Sequence, residues 1–178
     1  CGACAADLRC EYLRNPLGID VTRPRFGWTV GGSGGGQTAY RIVAATSPAA
    51  LPEEPHLWDS GKVESDEDTH ITYAGEPLSS GERAWWRVRL WNRHDQPGAW
   101  SEAAWWEMGL LEGDWEAKWI AGPDPSPILR KSFTLDRPVL RARLYICGQG
   151  VYEPRMNGVA VGDRVMGPTL SVLPVRML

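Results

Sequence analysis

Arg83-Ala84-Trp85-Trp86-Arg87-Val88-Arg89-Leu90-Trp91, followed closely by Gly98-Ala99-Trp100-Ser101-Glu102, decides how the rest of this chain is read. Side chains alternate across a strand, so Trp86, Val88 and Leu90 share one face while Trp85, Arg87, Arg89 and Trp91 share the other. An apolar face backed by alternating indole and guanidinium suits a strand that fills a sandwich core on one side and carries cation–π pairs on the other. The expected outer ladder sets Trp100 against Arg87 and Arg89.

Working outward, turn-forming clusters recur at short intervals, and the segments between them are rich in β-branched and aromatic residues. Expected strands are Leu8–Leu13, Arg25–Val30, Ala39–Thr46, Leu57–Val63, Thr69–Ala74, Arg83–Trp91 and Ala103–Met108. No amphipathic helix is evident. Seven short strands in this length predict an all-β fold, an immunoglobulin-like or fibronectin type III sandwich. The run Gly31-Gly32-Ser33-Gly34-Gly35-Gly36 reads as a strand connection, because no helix start or Lys follows to cradle a phosphate. Glu64-Ser65-Asp66-Glu67-Asp68 reads as a solvated loop, since it lacks the ligand alternation and turn Gly of a calcium loop.

After Met108 the pattern changes. Prolines at 123, 125 and 127 mark a stiff linker, which Trp115 and Trp119 are expected to pin to a neighbouring domain. Beyond it Ile128–Leu135, Val139–Cys147, Val151–Asn157 and Val159–Val165 read as four further strands, with Asn157-Gly158 a hairpin turn. Four strands leave open edges and a thin core, so the second sheet structure reads as partial. The expected organisation is a disordered tail over 1–6, a sandwich over 7–110, a linker over 111–127 and an incomplete β-sandwich over 128–178.

Composition narrows the function. Hydrophobic residues make up 43% of the 178, enough for a real core. A formal charge of −3 gives no long-range attraction for nucleic acid or anionic lipid, and no stretch is long enough to span a bilayer, so neither is an expected partner. Cys1, Cys4, Cys10 and Cys147 do not form a disulfide framework: three crowd the first ten residues, and free thiols are the expected state, with a Cys1–Cys4 or Cys4–Cys10 bridge as the alternative. The start at Cys1 reads as a fragment boundary or a processed end, the alternative being a lipid-modified terminus. No zinc spacing, cofactor loop or other metal site is visible. Glu112, Asp114 and Glu116 lie in the linker, where no desolvated pocket holds them, so no catalytic residue is assigned. Ten Trp against two Phe suits either a sandwich core or a sugar-stacking surface. Trp85, Trp91, Trp105 and Trp106 are the candidate sugar-binding rings.

Taken together, Leu8-Arg9-Cys10-Glu11-Tyr12-Leu13, Asn15-Pro16-Leu17-Gly18-Ile19-Asp20, Pro24-Arg25-Phe26-Gly27-Trp28, Trp58-Asp59-Ser60-Gly61-Lys62-Val63, Trp85-Trp86-Arg87-Val88-Arg89, Trp100-Ser101-Glu102 and Glu107-Met108-Gly109-Leu110-Leu111 resemble the N-terminal part of bacterial alpha-L-rhamnosidases. Arg143-Leu144-Tyr145-Ile146, Gly150-Val151-Tyr152-Glu153 and Val161-Gly162-Asp163 carry a second likeness, to the rhamnosidase N-terminal β-sandwich. The resemblance implies an accessory region of an inverting glycoside hydrolase whose carboxylic acids lie downstream, in a helical barrel that matches nothing here. That C-terminal catalytic barrel is the implied partner, and a rhamnose-containing glycan the implied ligand if the module binds sugar. A structural module, a carbohydrate-binding module and a protein-interaction domain are thus the three function classes. The sequence departs from the family at Ala84, where a corner Tyr is usual; at Pro154, which must end or edge a strand; and from Pro168 onward, where the tail leaves the pattern as a truncated or frame-shifted ending would.

Overall fold

The structure, a computed structural model, describes residues 3–32 and 36–162. The chain divides into two units, Cys1–Trp119 and Ile120–Leu178. In the first, β1 (Cys4–Cys10), β3 (Arg25–Gly31) and β7 (Ile71–Thr72) form an antiparallel three-stranded sheet. The second sheet runs β2 (Leu17–Ile19), β9 (Ala104–Met108), β8 (Arg83–Trp91), β4 (Ala39–Ala45) and β5 (Trp58–Asp59), with β6 (Val63–Glu64) also on β4.

The β8 alternation holds along its whole length. Ala84, Trp86, Val88 and Leu90 are fully buried, and the residues between them are half-buried. The core between the sheets is aromatic: Phe26 from β3 stacks on Trp86 at 4.1 Å, and Trp106 and Tyr73 meet Phe26 edge-on at 5.2 and 6.0 Å. Such pairing adds to the area each ring removes from water. Inside, Trp28 Nε1 donates to Gln37 Oε1 (2.9 Å), and Gln37 Nε2 donates to the carbonyls of Ser65 and Glu67. The acidic loop is thereby hung on a buried amide.

Several boundaries differ from the sequence reading. Ala3 and Ala5 are buried and Cys4–Ala6 pair with Thr29–Gly31, so the tail expected over 1–6 forms part of β1 from Cys4. Gly98 accommodates this segment: a Cβ there would run into the Ala3 carbonyl. Leu57–Val63 is two short strands, because Ser60 Oγ accepts from Ile42 N and Gly61 bends the chain at φ 61°. Leu17–Ile19, outside every expected strand, pairs parallel with β9. Ala84 is buried at the corner where a Tyr was expected; Tyr73 pins that loop instead, donating its hydroxyl to the Glu76 carbonyl at 2.7 Å. Cys4 and Cys10 are free thiols.

In the second unit β10 (Arg155–Met156) and β11 (Val159–Ala160) form a hairpin. Asn157 and Gly158 turn it with φ of 50° and 84°, the paired left-handed geometry the Asn-Gly dipeptide favours. Pro154 precedes the ladder and its carbonyl accepts from Val161 N. The strands expected over Ile128–Leu135 and Val139–Cys147 are not formed, and Val151–Asn157 and Val159–Val165 shorten to this hairpin, the residues from 163 lying outside those described. Among the described residues of this unit none is buried, and Leu140 is 100% exposed. An extended segment needs a paired neighbour and a covered face, and a two-residue hairpin supplies neither. Trp115 and Trp119 are likewise exposed rather than packed. The tail from Pro168 also lies outside the described residues.

Candidate functional site

The outward face of β8 and β9 holds three of the four candidate rings, Trp85 and Trp91 on β8 and Trp105 on β9, and closes them on the protein itself. Register with β9 sets Trp85 opposite Trp105 and Arg83 opposite Glu107. The Arg83 guanidinium lies 3.8 Å from the Trp105 ring centroid and 5.6 Å from that of Trp85. It also donates from Nη2 to Glu107 Oε2 at 2.8 Å, and Glu107 is only 1% exposed. Trp85 packs with Val43, Ala45, Leu51 and Trp100 in a small second core on this face. Arg89 lies 4.7 Å from the Trp100 centroid; the second cation over that ring is Arg41 at 5.8 Å, rather than the expected Arg87. Arg41 is oriented by Asp59, whose carboxyl it holds below the usual range. Trp91 carries Lys62 at 5.6 Å. Trp106 is no surface ring: it pairs with Ala84 in register, points inward and is fully buried against Phe26 and Tyr73, so a sugar cannot reach it.

A second constellation, on the outer side of the other sheet, has no counterpart in the sequence reading. β1 breaks register between Ala6 and Arg9, and this irregularity turns Asp7, at φ 48°, outward. Asp7 accepts from Arg9 and Arg14, Glu11 accepts from Arg25 at 2.7 Å, and the Tyr12 hydroxyl meets His70 Nε2 at 2.7 Å. The guanidiniums hold both carboxyls below their ordinary values. Around them lies a groove of about 170 Å³, floored by the backbone of Gly27 and walled by Tyr12, Arg25, Thr69 and His70. The signal available in the sequence was the acid–base alternation Asp7-x-Arg9-x-Glu11, which conveys nothing until Arg25 and His70 are brought beside it.

Glu112, Asp114 and Glu116 are exposed, with Asp114 accepting from the Ser80 hydroxyl. Among the described residues no three His, Cys, Asp or Glu side chains converge on a metal-sized site, and no helix is long and apolar enough to cross a membrane.

Two facing, mainly antiparallel sheets around an aromatic core, with a cation-capped indole face, define an immunoglobulin-like β-sandwich module. Residues 5–112 match the family described as Rha78A-like, N-terminal immunoglobulin domain, and the chain belongs to that family. Residues 137–177 match the Alpha-L-rhamnosidase N-terminal domain, so the departure expected from Pro168 onward is overturned: the family pattern continues to Met177. An alpha-L-rhamnosidase of Formosa agariphila is 40% identical over 175 residues, covering 89% of this chain and 19% of that protein. One of Streptomyces avermitilis is 42% identical over 118 residues, covering 65% and 11%. Among solved structures, the alpha-L-rhamnosidase from Dictyoglumus thermophilum superposes with a TM-score of 0.84 at 36% identity, over 93% of this chain and 21% of that one. The Streptomyces avermitilis enzyme complexed with L-rhamnose gives a TM-score of 0.64 at 40% identity, over 68% and 12%. The chain spans between 11% and 20% of the length of the curated relatives, at their N-terminal part.

Proposed function

We propose that this chain is the noncatalytic N-terminal portion of an alpha-L-rhamnosidase, a structural accessory module for a barrel that hydrolyses terminal alpha-L-rhamnosides with inversion. Its own partner is that barrel, and the boundary between its modules falls in the stretch 111–127. The observation that carries this reading is the state of its carboxyl groups. Inverting hydrolysis needs a carboxylic acid raised in pKa, facing a carboxylate across roughly 6.5–9.5 Å with room for water. Asp7, Glu11 and Asp59 are instead pulled down by guanidiniums, which keeps them ionised and unable to protonate a leaving oxygen. Glu107 is only 1% exposed and is paired with Arg83, so its carboxyl does not face solvent. The cation-stacked indoles support bracing, since Arg83 ties Trp85 and Trp105 to the buried Glu107 across β8 and β9. Incubating the purified chain with p-nitrophenyl alpha-L-rhamnopyranoside should release no nitrophenol above the spontaneous rate. Release at enzyme-like rates would overturn the reading.

A further inference from the structure

The groove over Gly27 has the makings of a ligand site, and it lies on the sheet opposite the indole face. Its floor is bare backbone: any side chain at 27 would press on the Asp68 carbonyl at 3.3 Å and on Thr69. Its walls are mainly apolar, with two polar pairs among the lining residues. Glu11 takes Nε and Nη2 of Arg25, which leaves Arg25 Nη1 outside that pair, and Tyr12 engages Nε2 of His70, which leaves Nδ1. Arg25 lies over one face of the Tyr12 ring at 5.1 Å, yet Tyr12 remains 59% exposed, an aromatic surface on the rim.

Charge selects the class of ligand. Asp7 and Glu11 offset two of the three guanidinium charges of Arg9, Arg14 and Arg25, so the rim carries too little net charge to attract a phosphate or a metal cation strongly. A neutral molecule with hydroxyls on adjacent carbons can accept from a guanidinium and donate to the neighbouring carboxylate together, while its C–H face lies on an aromatic ring. The volume, about 170 Å³, suits one six-membered ring rather than a chain. We propose that this groove binds a single pyranose ring, with Tyr12 as the stacking platform and the Glu11–Arg25 pair as the hydroxyl clamp. This goes beyond the accessory role and does not depend on it, since a brace and a sugar site occupy opposite sheets.

Saturation-transfer difference NMR on the full chain, with methyl alpha-L-rhamnopyranoside and methyl beta-D-glucopyranoside as probes, tests it. At least one glycoside should receive saturation on its ring protons. Tyr12→Ala should weaken its affinity about ten-fold, Thr69→Trp should abolish binding by filling the groove, and Trp91→Ala, on the other sheet, should leave it unchanged. No transfer to either glycoside, transfer that survives both groove variants, or transfer lost on Trp91→Ala would each overturn the site. Circular dichroism identifies a variant that has unfolded, and the other groove variant then decides.

Discussion

Trp86 and Trp91 share a strand and meet opposite environments. Trp86 is sealed against Phe26, while Trp91 lies half-buried under Lys62. Trp86→Ala should therefore cost about 3–5 kcal/mol through lost burial and the cavity left behind, and Trp91→Ala about 1 kcal/mol or less. Urea unfolding of the two variants checks the contrast, and similar losses would contradict the assigned faces. Tyr73 makes a pH-dependent contribution. Burial disfavours its phenolate and raises its pKa from the ordinary 10.0 to about 12. A group raised in the folded state contributes fully below its unfolded pKa and loses that contribution as pH climbs through the folded one. Stability should hold to pH 10 and then fall by up to about 3 kcal/mol by pH 12. Tyr73→Phe should cost about 1 kcal/mol at neutral pH, by leaving the Glu76 carbonyl without its donor, and should flatten that alkaline decline in thermal melts across pH 8 to 12.

At the scale of elements, β8 and β9 are joined by a ladder and by the Arg83–Glu107 pair beneath it. Removing one partner of a buried pair strands the other's charge, which costs more than the pair contributes while intact. Arg83→Met should lower stability by about 3 kcal/mol, and adding Glu107→Gln should restore part of it, because a neutral amide is easier to bury. A double-mutant cycle by chemical denaturation reads this, and purely additive losses would contradict it. The same elements show where pattern reading works. Arg83–Trp91 was legible residue by residue, since a long strand with one buried face writes its period into the sequence. Leu17–Ile19 was not: Leu17 is 58% exposed, and what makes the segment a strand is β9 lying alongside. The split of Leu57–Val63 depended on one serine hydroxyl reaching the backbone of Ile42.

Across the whole chain the two units differ in how much they bury. The first surrounds an aromatic core, whereas the described part of the second has no buried residue and one two-residue hairpin. Limited proteolysis should therefore cut first between residues 120 and 162 and accumulate a product ending near Trp119, because cleavage follows locally open backbone. Equal resistance of both units would contradict this. The linker rings Trp115 and Trp119, exposed in the structure, should be quenched readily by acrylamide, unlike the core indoles.

What the sequence determined by itself was local: the period of two, the turn at Asn157-Gly158, the all-β class and the family pattern. Those follow from backbone geometry and side-chain alternation, which neighbouring residues settle among themselves. Only the tertiary structure decided which of the adjacent rings Trp105 and Trp106 turns inward. Alternation sets them on opposite faces, and the register with β8 then directs Trp106 to Ala84 and the core and Trp105 to Trp85 and the arginine. It likewise gathered Glu11, Tyr12, Arg25 and His70 around one groove, because residues far apart in sequence become neighbours only when strands pair.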